Sequence, residues 1–368
     1  MRFSINQGEL QNALAVVSKG ISARSTLPIL SGILIEARED AITLQATDLE
    51  QSIQYSAAAL VEEPGRTVVP GKLFVDIIKS LPDAAVHIEG TEEQAIITCD
   101  TSSFSIKVMS AEDFPGFPQV STEQCIEVPF AQFSNMVKRV ARVVSRDESR
   151  AILTGVLITL ENGQLRMVAT DSYRLAIIDA PLPDGVNADS EFEAVISGTF
   201  LTDIASLPKT ESNVKLALAE NQIVVTCEDT VFINRRIEGT YPNYKQLLPD
   251  SYSTRAIVDT DKLAAAVRRA ALLGSASSPV RIDLNADTNT AHVSAMSQDV
   301  GSAQETVKCE VEGEPVEIAF NYMYVLEGLS SMPSETAALE VQNPMKPGIF
   351  RATEGDDFLY LVMPVRIS

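Results

Sequence analysis

Apolar residues recur along this chain at two different periods, and the switch between them happens three times over. In GELQNALAVVSKGI the apolar positions Leu10, Leu14 and Val17 follow an i, i+4, i+7 spacing, which puts them on one face of a helix. The same face returns as Phe133, Val137 and Val140 in AQFSNMVKRVARVV, 123 residues later. It returns again as Leu263, Val267 and Ala270 in DKLAAAVRRAALLG, after a further 130 residues. Each helix is followed by segments in which apolar and polar residues alternate. These are LPILSGILIEA with AITLQATDLEQSI, RAILTGVLITL with QLRMVATDSYRLAII, and the more diverged SPVRIDLNA with TAHVSAMSQDVGSA. That alternation predicts half-buried antiparallel strands, and RED or ENG between them predicts a tight turn. Asp48 and Asp171 fall at equivalent places, again 123 apart.

A second amphipathic helix follows in every copy. Its apolar faces are Phe74, Ile77, Ile78 and Leu81, then Phe200, Ile204 and Leu207, then Tyr322, Val325, Leu326 and Leu329. The first two helices end in Leu-Pro, where proline stops the helix. Each copy closes with strands: FSIKVMSAEDFPGFP, VFINRRIEGTYPNYKQLLP and IFRATEGDDFLYLVMPVRI. The repeat is thus strand, helix, strands, helix, strands, a domain-sized unit too long for a solenoid. The pattern predicts an α+β protein of three tandem similar domains, each with two helices packed on antiparallel sheets. The expected boundaries give domains at 1–123, 124–252 and 253–368.

Composition narrows the chemistry. Of 368 residues 45% are hydrophobic, enough for several cores, and no run approaches the 18 or so apolar residues of a membrane span. The N-terminal segment MRFSINQGELQNALAVV lacks the unbroken apolar stretch of a signal peptide, so the expectation is a cytoplasmic protein with no membrane partner. Cys99, Cys125, Cys227 and Cys309 form no CxxC pair and are expected to be buried free thiols. Only two histidines occur, His87 and His292, both in strand-like segments, and neither is given a catalytic role.

The net charge of −21 opposes nucleic acid binding overall, but binding depends on where the cations lie. They recur on equivalent helices: Lys19 after the first, Lys138, Arg139 and Arg142 on the second, Arg268 and Arg269 on the third. Lys72 and Lys79 on the second helix of the first copy, Arg24 before its first strand, and Lys209 complete the set. Acidic residues gather elsewhere, in EARED, GTEE, EVEGE and EGDD. A basic set of this kind holds phosphates without reading sequence. Catalytic signatures fail on inspection. GRTVVPGKL has five residues between its glycines where a P-loop needs four, and Leu73 stands where Ser or Thr is required. It reads as a turn into a helix. Asp48, Asp171 and Asp113 have turn contexts, and no nucleophile sits beside a plausible base. The competing class, an enzyme with carboxylate or metal chemistry between domains, would need a dense His, Asp and Glu cluster in one copy. A surface adhesion repeat is disfavoured by the unpaired cysteines. No metal, cofactor or catalytic role is expected.

RSTLPILSGILIEA with ATDLE, VPGKLFVDIIKSLP, FPGFP, ATDSYRLA, YPNYKQLLP and the tail LVMPVRI together resemble the bacterial DNA polymerase III beta subunits. The resemblance runs from Met1 to Ser368. It implies a clamp fold in which two chains close head to tail into a ring around duplex DNA, a processivity factor rather than an enzyme. It implies the replicative polymerase catalytic subunit, the clamp loader and other repair and replication proteins as partners. By matching, their peptides enter a pocket built from Leu153, Thr170, Ser172, Tyr173, Arg174, Leu175, Pro242, Leu247, Val362, Met363, Pro364, Val365 and Arg366. Gln246, and Ile367 with Ser368 beyond the Arg, depart from some members and bear on peptide preference at the rim. The homodimer interface implied is Phe104 and Ile106 of one chain against Leu272 and Leu273 of the other.

Overall fold

The computed structural model describes residues 1–22, 26–120, 125–161, 163–182, 192–273, 279–297, 299–355 and 357–366. The first repeat runs β1 (Arg2–Asn6), α1 (Gln7–Val17), β2 (Gly32–Arg38), β3 (Ala41–Thr47), β4 (Gln51–Ala58), β5 (Leu60–Glu63), β6 (Gly65–Pro70), α2 (Gly71–Ser80), β7 (Ala85–Gly90), β8 (Gln94–Cys99) and β9 (Ser102–Lys107). The second runs β10 (Cys125–Pro129), α3 (Phe130–Val140), β11 (Gly155–Glu161), β12 (Gln164–Thr170), β13 (Arg174–Pro181), β14 (Phe192–Ser197), α4 (Gly198–Ala205), β15 (Asn213–Leu218), β16 (Gln222–Cys227) and β17 (Thr230–Arg235). The third runs β18 (Thr254–Asp259), α5 (Thr260–Ala270), β19 (Val280–Asn285), β20 (Thr290–Ser297), β21 (Gly301–Gly313), β22 (Val316–Phe320), α6 (Tyr322–Leu329), β23 (Thr336–Val341), β24 (Gly348–Ala352) and β25 (Asp357–Val362).

The chain forms two compact units, one of residues 1–133 with 206–236, the other of residues 134–205 with those from 237 onward. Sheet topology explains the division. In the first unit, β10-β15-β16-β17 of the second repeat continues into β4-β3-β2-β6 of the first, making one eight-stranded sheet. A five-stranded sheet β5-β1-β7-β8-β9 completes that unit. In the second unit, β14-β11-β12-β13 of the second repeat continues into β25-β24-β23-β18-β21-β20-β19-β22 of the third. The second repeat is therefore shared, because each of its half-sheets is extended by a neighbour. The joins are antiparallel ladders, with Phe232 opposite Ile53 where β17 meets β4, and Tyr360 opposite Ala176 where β13 meets β25.

The helices form where the apolar spacing predicts them. Leu10, Leu14, Val17, Phe133, Val137, Val140, Leu263, Val267 and Ala270 are all buried. Asn6 caps α1 by accepting the Gly8 and Glu9 amides at 2.8 and 3.4 Å, and Asp259 caps α5 through the Lys262 amide at 2.9 Å. The last helix departs from expectation. In α6 only Val325, Gly328 and Leu329 are buried, whereas Tyr322 and Leu326 are half-buried. Gly328 lies against the Tyr360 ring, and a Cβ there would meet ring carbons at 2.4 and 2.5 Å. The helix thus packs on a bulky ring through its smallest residue, which narrows the face it can bury.

The thiols also differ from expectation. Cys99 and Cys227 are buried, and burial pushes Cys227 up to about 11. Cys125 is exposed, because it opens β10 at the rim of the eight-stranded sheet, and Cys309 is half-buried where β21 changes partner from β20 to β18. Both histidines make surface cross-strand contacts, His87 with the Ser4 hydroxyl at 2.6 Å and His292 with that of Thr306 at 3.2 Å.

Phe133 is fully buried on the α3 face. Phe133→Ala is expected to cost about 3–5 kcal/mol, from lost transfer energy plus the cavity left behind. Urea unfolding of the variant measures it, and a loss under about 1 kcal/mol would show that this face is not core.

Candidate nucleic-acid interface and partner cleft

The cations predicted to contact phosphate fall into three groups. Lys72 and Lys79 on α2, Lys138 on α3, Arg268 on α5 and Lys209 after α4 are exposed. Arg139 and Arg142 are tied down. Arg139 Nε donates to Asn135 Oδ1 at 2.9 Å and its Nη1 to the Ser331 carbonyl. Arg142 donates through Nε to the Lys138 carbonyl at 3.0 Å and through Nη1 to Ser330 Oγ at 2.9 Å. The two clip the end of α3 to the end of α6. Arg269 is already neutralised, since Nε and Nη2 hold both Glu305 oxygens at 2.9 and 2.7 Å. That fork raises the Arg269 pKa and lowers that of Glu305. Lys19 donates to Ser206 Oγ, and Arg24 lies outside the described residues.

All within the second unit, Thr170 to Leu175 meet Val362 and Met363 at one turn and one strand end. Thr170 Oγ1 donates to the Arg174 carbonyl at 2.7 Å and accepts the Ser172 amide at 3.1 Å. Asp171 Oδ1 accepts the amides of Tyr173 and Arg174 at 2.9 and 3.0 Å. These bonds hold Ser172 at φ +78°, an uncommon conformation for a residue with a Cβ. The turn reading of Asp171 holds, and Asp48 does the same in the first unit through the Glu50 and Gln51 amides. The GRTVVPGKL segment is β6 followed directly by α2.

Beyond the turn, β13 pairs with β25 so that Arg174 lies opposite Val362, and the Met363 amide donates to the Tyr173 carbonyl at 2.8 Å. The Val365 amide donates to the Ala319 carbonyl, so the tail stays attached past the strand. Leu153, Thr170, Leu175 and Val362 are buried. Ser172, Tyr173, Pro242, Leu247, Met363, Val365 and Arg366 are exposed, and Pro364 is half-buried. Ile367 and Ser368 lie outside the described residues. Buried apolar side chains thus lie beside exposed, partly apolar ones. At the open edges of the sheets, Phe104 and Leu272 are exposed, Leu273 is half-buried and Ile106 is already buried within its own unit.

Arg174 is the centre of this site. Its guanidinium donates to Asp171 Oδ2 at 3.0 Å, to Glu327, to the Tyr360 hydroxyl at 3.2 Å and to the Arg142 carbonyl at 3.3 Å. It also lies 4.5 Å from the Tyr324 ring centroid, and Tyr324 stacks with Tyr173. Burial works against its charge, but Tyr360 and Glu327 outweigh this and hold its pKa above the ordinary value. Tyr360 is itself raised, chiefly by burial. Sequence reasoning missed Glu327, Tyr324, Tyr360, Tyr241 and Tyr244. Tyr241 donates to the Val168 carbonyl at 3.3 Å, and Tyr244 packs on Leu157, Val168, Ile177 and Leu361 under the cleft. The tyrosines of YPNY carried a signal, being aromatic residues in a segment otherwise polar; the α6 pair did not.

Three family models match the chain in succession: the DNA polymerase III beta subunit N-terminal domain over residues 1–118, the central domain over 127–243 and the C-terminal domain over 245–366. The chain is 31% identical to the beta sliding clamp of Synechocystis sp. over 392 residues, covering all of both chains. It is 31% identical over 377 residues to that of Staphylococcus aureus strain Mu50, covering 100% and 99%. Among solved structures it is similar to the DNA polymerase sliding clamp from Bacillus subtilis, at 29% identity and TM-score 0.95, with full coverage of both chains. The beta subunit from the DNA polymerase of Streptococcus pyogenes gives 28% and 0.93, again with full coverage.

Arg174→Ala leaves Asp171 and Glu327 facing each other with no cation between them. The expected loss of stability is about 3–5 kcal/mol, as for breaking other buried pairs, and calorimetry at neutral pH measures it. A change within about 0.5 kcal/mol would mean the network is not part of the fold's stability.

Proposed function

The chain belongs to the DNA polymerase III beta subunit family, the beta sliding clamps, and on that premise we propose that two copies close into a ring around duplex DNA. It is a processivity factor in DNA replication, and we read it as an accessory subunit without catalysis of its own, working in the cytoplasm. None of the helices among the described residues is long and apolar enough to cross a membrane.

The observation that carries the ring is the repeated strand junction. β4 of the first repeat pairs with β17 of the second, and β13 of the second pairs with β25 of the third. In the third repeat the corresponding strand is the first part of β21, residues 301–308, which pairs with β20 on one side only among the described strands. In the first repeat the strand corresponding to β17 and β25 is β9, the edge of its sheet. One open edge of each kind is left per chain, and an exposed edge is a template for pairing. A head-to-tail contact that closes after two copies satisfies both. The register follows from the other junctions. Phe104 holds the place of Phe232 and Tyr360, so it would face Ala303 of the partner subunit, as those residues face Ile53 and Ala176. Leu272, 79% exposed, sits just before that edge and would be covered.

In the closed ring the helices would present Lys72, Lys79, Lys138, Lys209, Arg142 and Arg268 to the phosphates, with Arg139 beside them, and Arg24 stays a phosphate contact on the sequence reading alone. We do not assign Arg269 a free charge there, since Glu305 already holds it. The cleft at Arg174 and Met363 would take short, partly apolar segments of the polymerase catalytic subunit, the clamp loader and other replication and repair proteins. The domain limits at 123 and 252 remain our assignment of the functional repeats.

Light scattering is expected to give about twice the 39.8 kDa chain mass, and Phe104→Glu with Leu272→Glu to give monomer. Loaded protein should stay on nicked circular DNA through moderate salt and leave when the circle is cut, while binding to linear duplex is weak and salt-sensitive. A monomeric wild type, or sequence-specific binding to a short duplex, would overturn the ring. For the cleft, deleting residues 363–368 is expected to abolish binding of a QLxLF-type peptide with the dimer intact. Met363→Ala should weaken it about tenfold or less, because only a flexible filler is lost. Unchanged peptide affinity in the truncated protein would show that the cleft lies elsewhere.

A further inference from the structure

The cleft has a twin. The turn and the strand pairing that build it in the second unit recur in the first, 123 residues earlier along the turn and 128 earlier along the closing strand. Thr47 Oγ1 donates to the Gln51 carbonyl at 2.8 Å and accepts the Leu49 amide at 3.0 Å, as Thr170 does with Arg174 and Ser172. Leu49 has φ +79° and Ser172 +78°. Asp48 accepts two amides as Asp171 does. Gln51 lies opposite Asn234 as Arg174 lies opposite Val362. The Arg235 amide donates to the Glu50 carbonyl at 3.0 Å, as that of Met363 does to Tyr173. Gln51 Nε2 even reaches the Lys19 carbonyl at 3.3 Å, where Arg174 reaches that of Arg142. Leu30 and Leu153 are equivalent and both buried.

The side chains of the walls differ. Ser52, hydrogen-bonded to Thr47 Oγ1 at 2.8 Å, stands where the cleft has Leu175. Asn234, 7% exposed with a buried Oδ1 that has no hydrogen-bond partner, stands for Val362. Exposed Arg235 stands for Met363. An apolar anchor entering here would meet two polar wall groups in place of Leu175 and Val362, and a cation where the other site offers a flexible thioether.

We propose that this chain carries two copies of one peptide-binding scaffold and that Ser52, Asn234 and Arg235 shut the first to apolar motifs, leaving one working cleft per chain. The proposal rests on the reading of the second junction as the partner cleft. It assigns specificity to the wall side chains, because the backbone is the same in both.

The test titrates a fluorescent QLxLF-type peptide against four dimers and reads stoichiometry. Wild type is expected to show one site per chain, and the protein lacking residues 363–368 none. Ser52→Leu with Asn234→Val and Arg235→Met is expected to show two, and those changes combined with the truncation one. A converted protein that keeps a single site, and loses it on truncation, overturns the proposal. Peptide binding by the truncated wild type would instead remove the underlying cleft assignment. Since three changes at a sheet junction can disturb folding, the reciprocal arm uses the exposed Met363. Met363→Arg is expected to weaken the peptide by about thirtyfold or more, well beyond Met363→Ala, because the cation must be covered unpaired. Equal effects of the two substitutions overturn the assignment of Arg235 as an excluding residue.

Discussion

The fold depends on the pairing of one repeat's outer strand with the last strand of the next. Neither half-sheet of the second repeat ends at its own boundary; each runs on into a neighbour through a ladder five or six residues long. An aromatic residue from the closing strand faces a smaller aliphatic one in both ladders, Phe232 with Ile53 and Tyr360 with Ala176. Aromatic with aliphatic pairs of this kind stabilise a sheet beyond backbone bonding. The ladder also decides where the structure divides. Two units arise from three repeats because the middle one is split between two continuous sheets. Among the described residues the same kind of strand is left at a sheet edge in the first repeat, β9, and paired on one side only in the third, the first part of β21.

Charge follows from that arrangement. A chain with net charge −21 holds a polyanion only if its cations are kept apart from its carboxylates. The lysines of α2 and α3 are exposed, whereas Arg269 is already forked to Glu305. Arg142 stands between the two cases. Its hydrogen bonds to a carbonyl and a hydroxyl orient the guanidinium without themselves cancelling its charge.

The helices, the hairpins and the threefold order were legible because each is a local periodic signal, carried by residues such as Leu10, Phe133 and Leu263. The Asp48 and Asp171 turns were legible for the same reason: a short polar side chain two or three residues from the amides it accepts. What could not be seen is what joins distant segments. Nothing in the alternation of β17 says that it pairs with β4, some 180 residues earlier. Glu327 and Tyr324 looked like the polar side of an amphipathic helix, yet they turn to Arg174. The expected apolar face of α6 was too broad, because the spacing of Tyr322 and Leu326 cannot report that Gly328 brings the helix down onto the Tyr360 ring. Recurrence of cations on equivalent helices was likewise visible, and their pairing was not.

The contrast between Gln51 and Arg174 shows how a duplicated scaffold acquires different uses. Both tie the turn to the carbonyl that follows the first helix of their repeat. Gln51 is neutral and needs no counter-charge, so its junction is closed by short polar contacts among Thr47, Ser52 and Gln51. Arg174 makes the same tie but brings a buried cation, and a buried cation must be surrounded by acceptors or it unfolds its site. Asp171 supplies one from the turn itself; Glu327 and Tyr360 must come from the third repeat. The charge therefore locks α6 and β25 against the second repeat and fixes the strand end from which Met363 extends. A neutral residue in that place would lose the ties to Glu327 and Tyr360 and leave the tail held by the ladder and the Met363 and Val365 amide bonds. At this junction the second repeat's buried charge draws two of its acceptors from the third repeat.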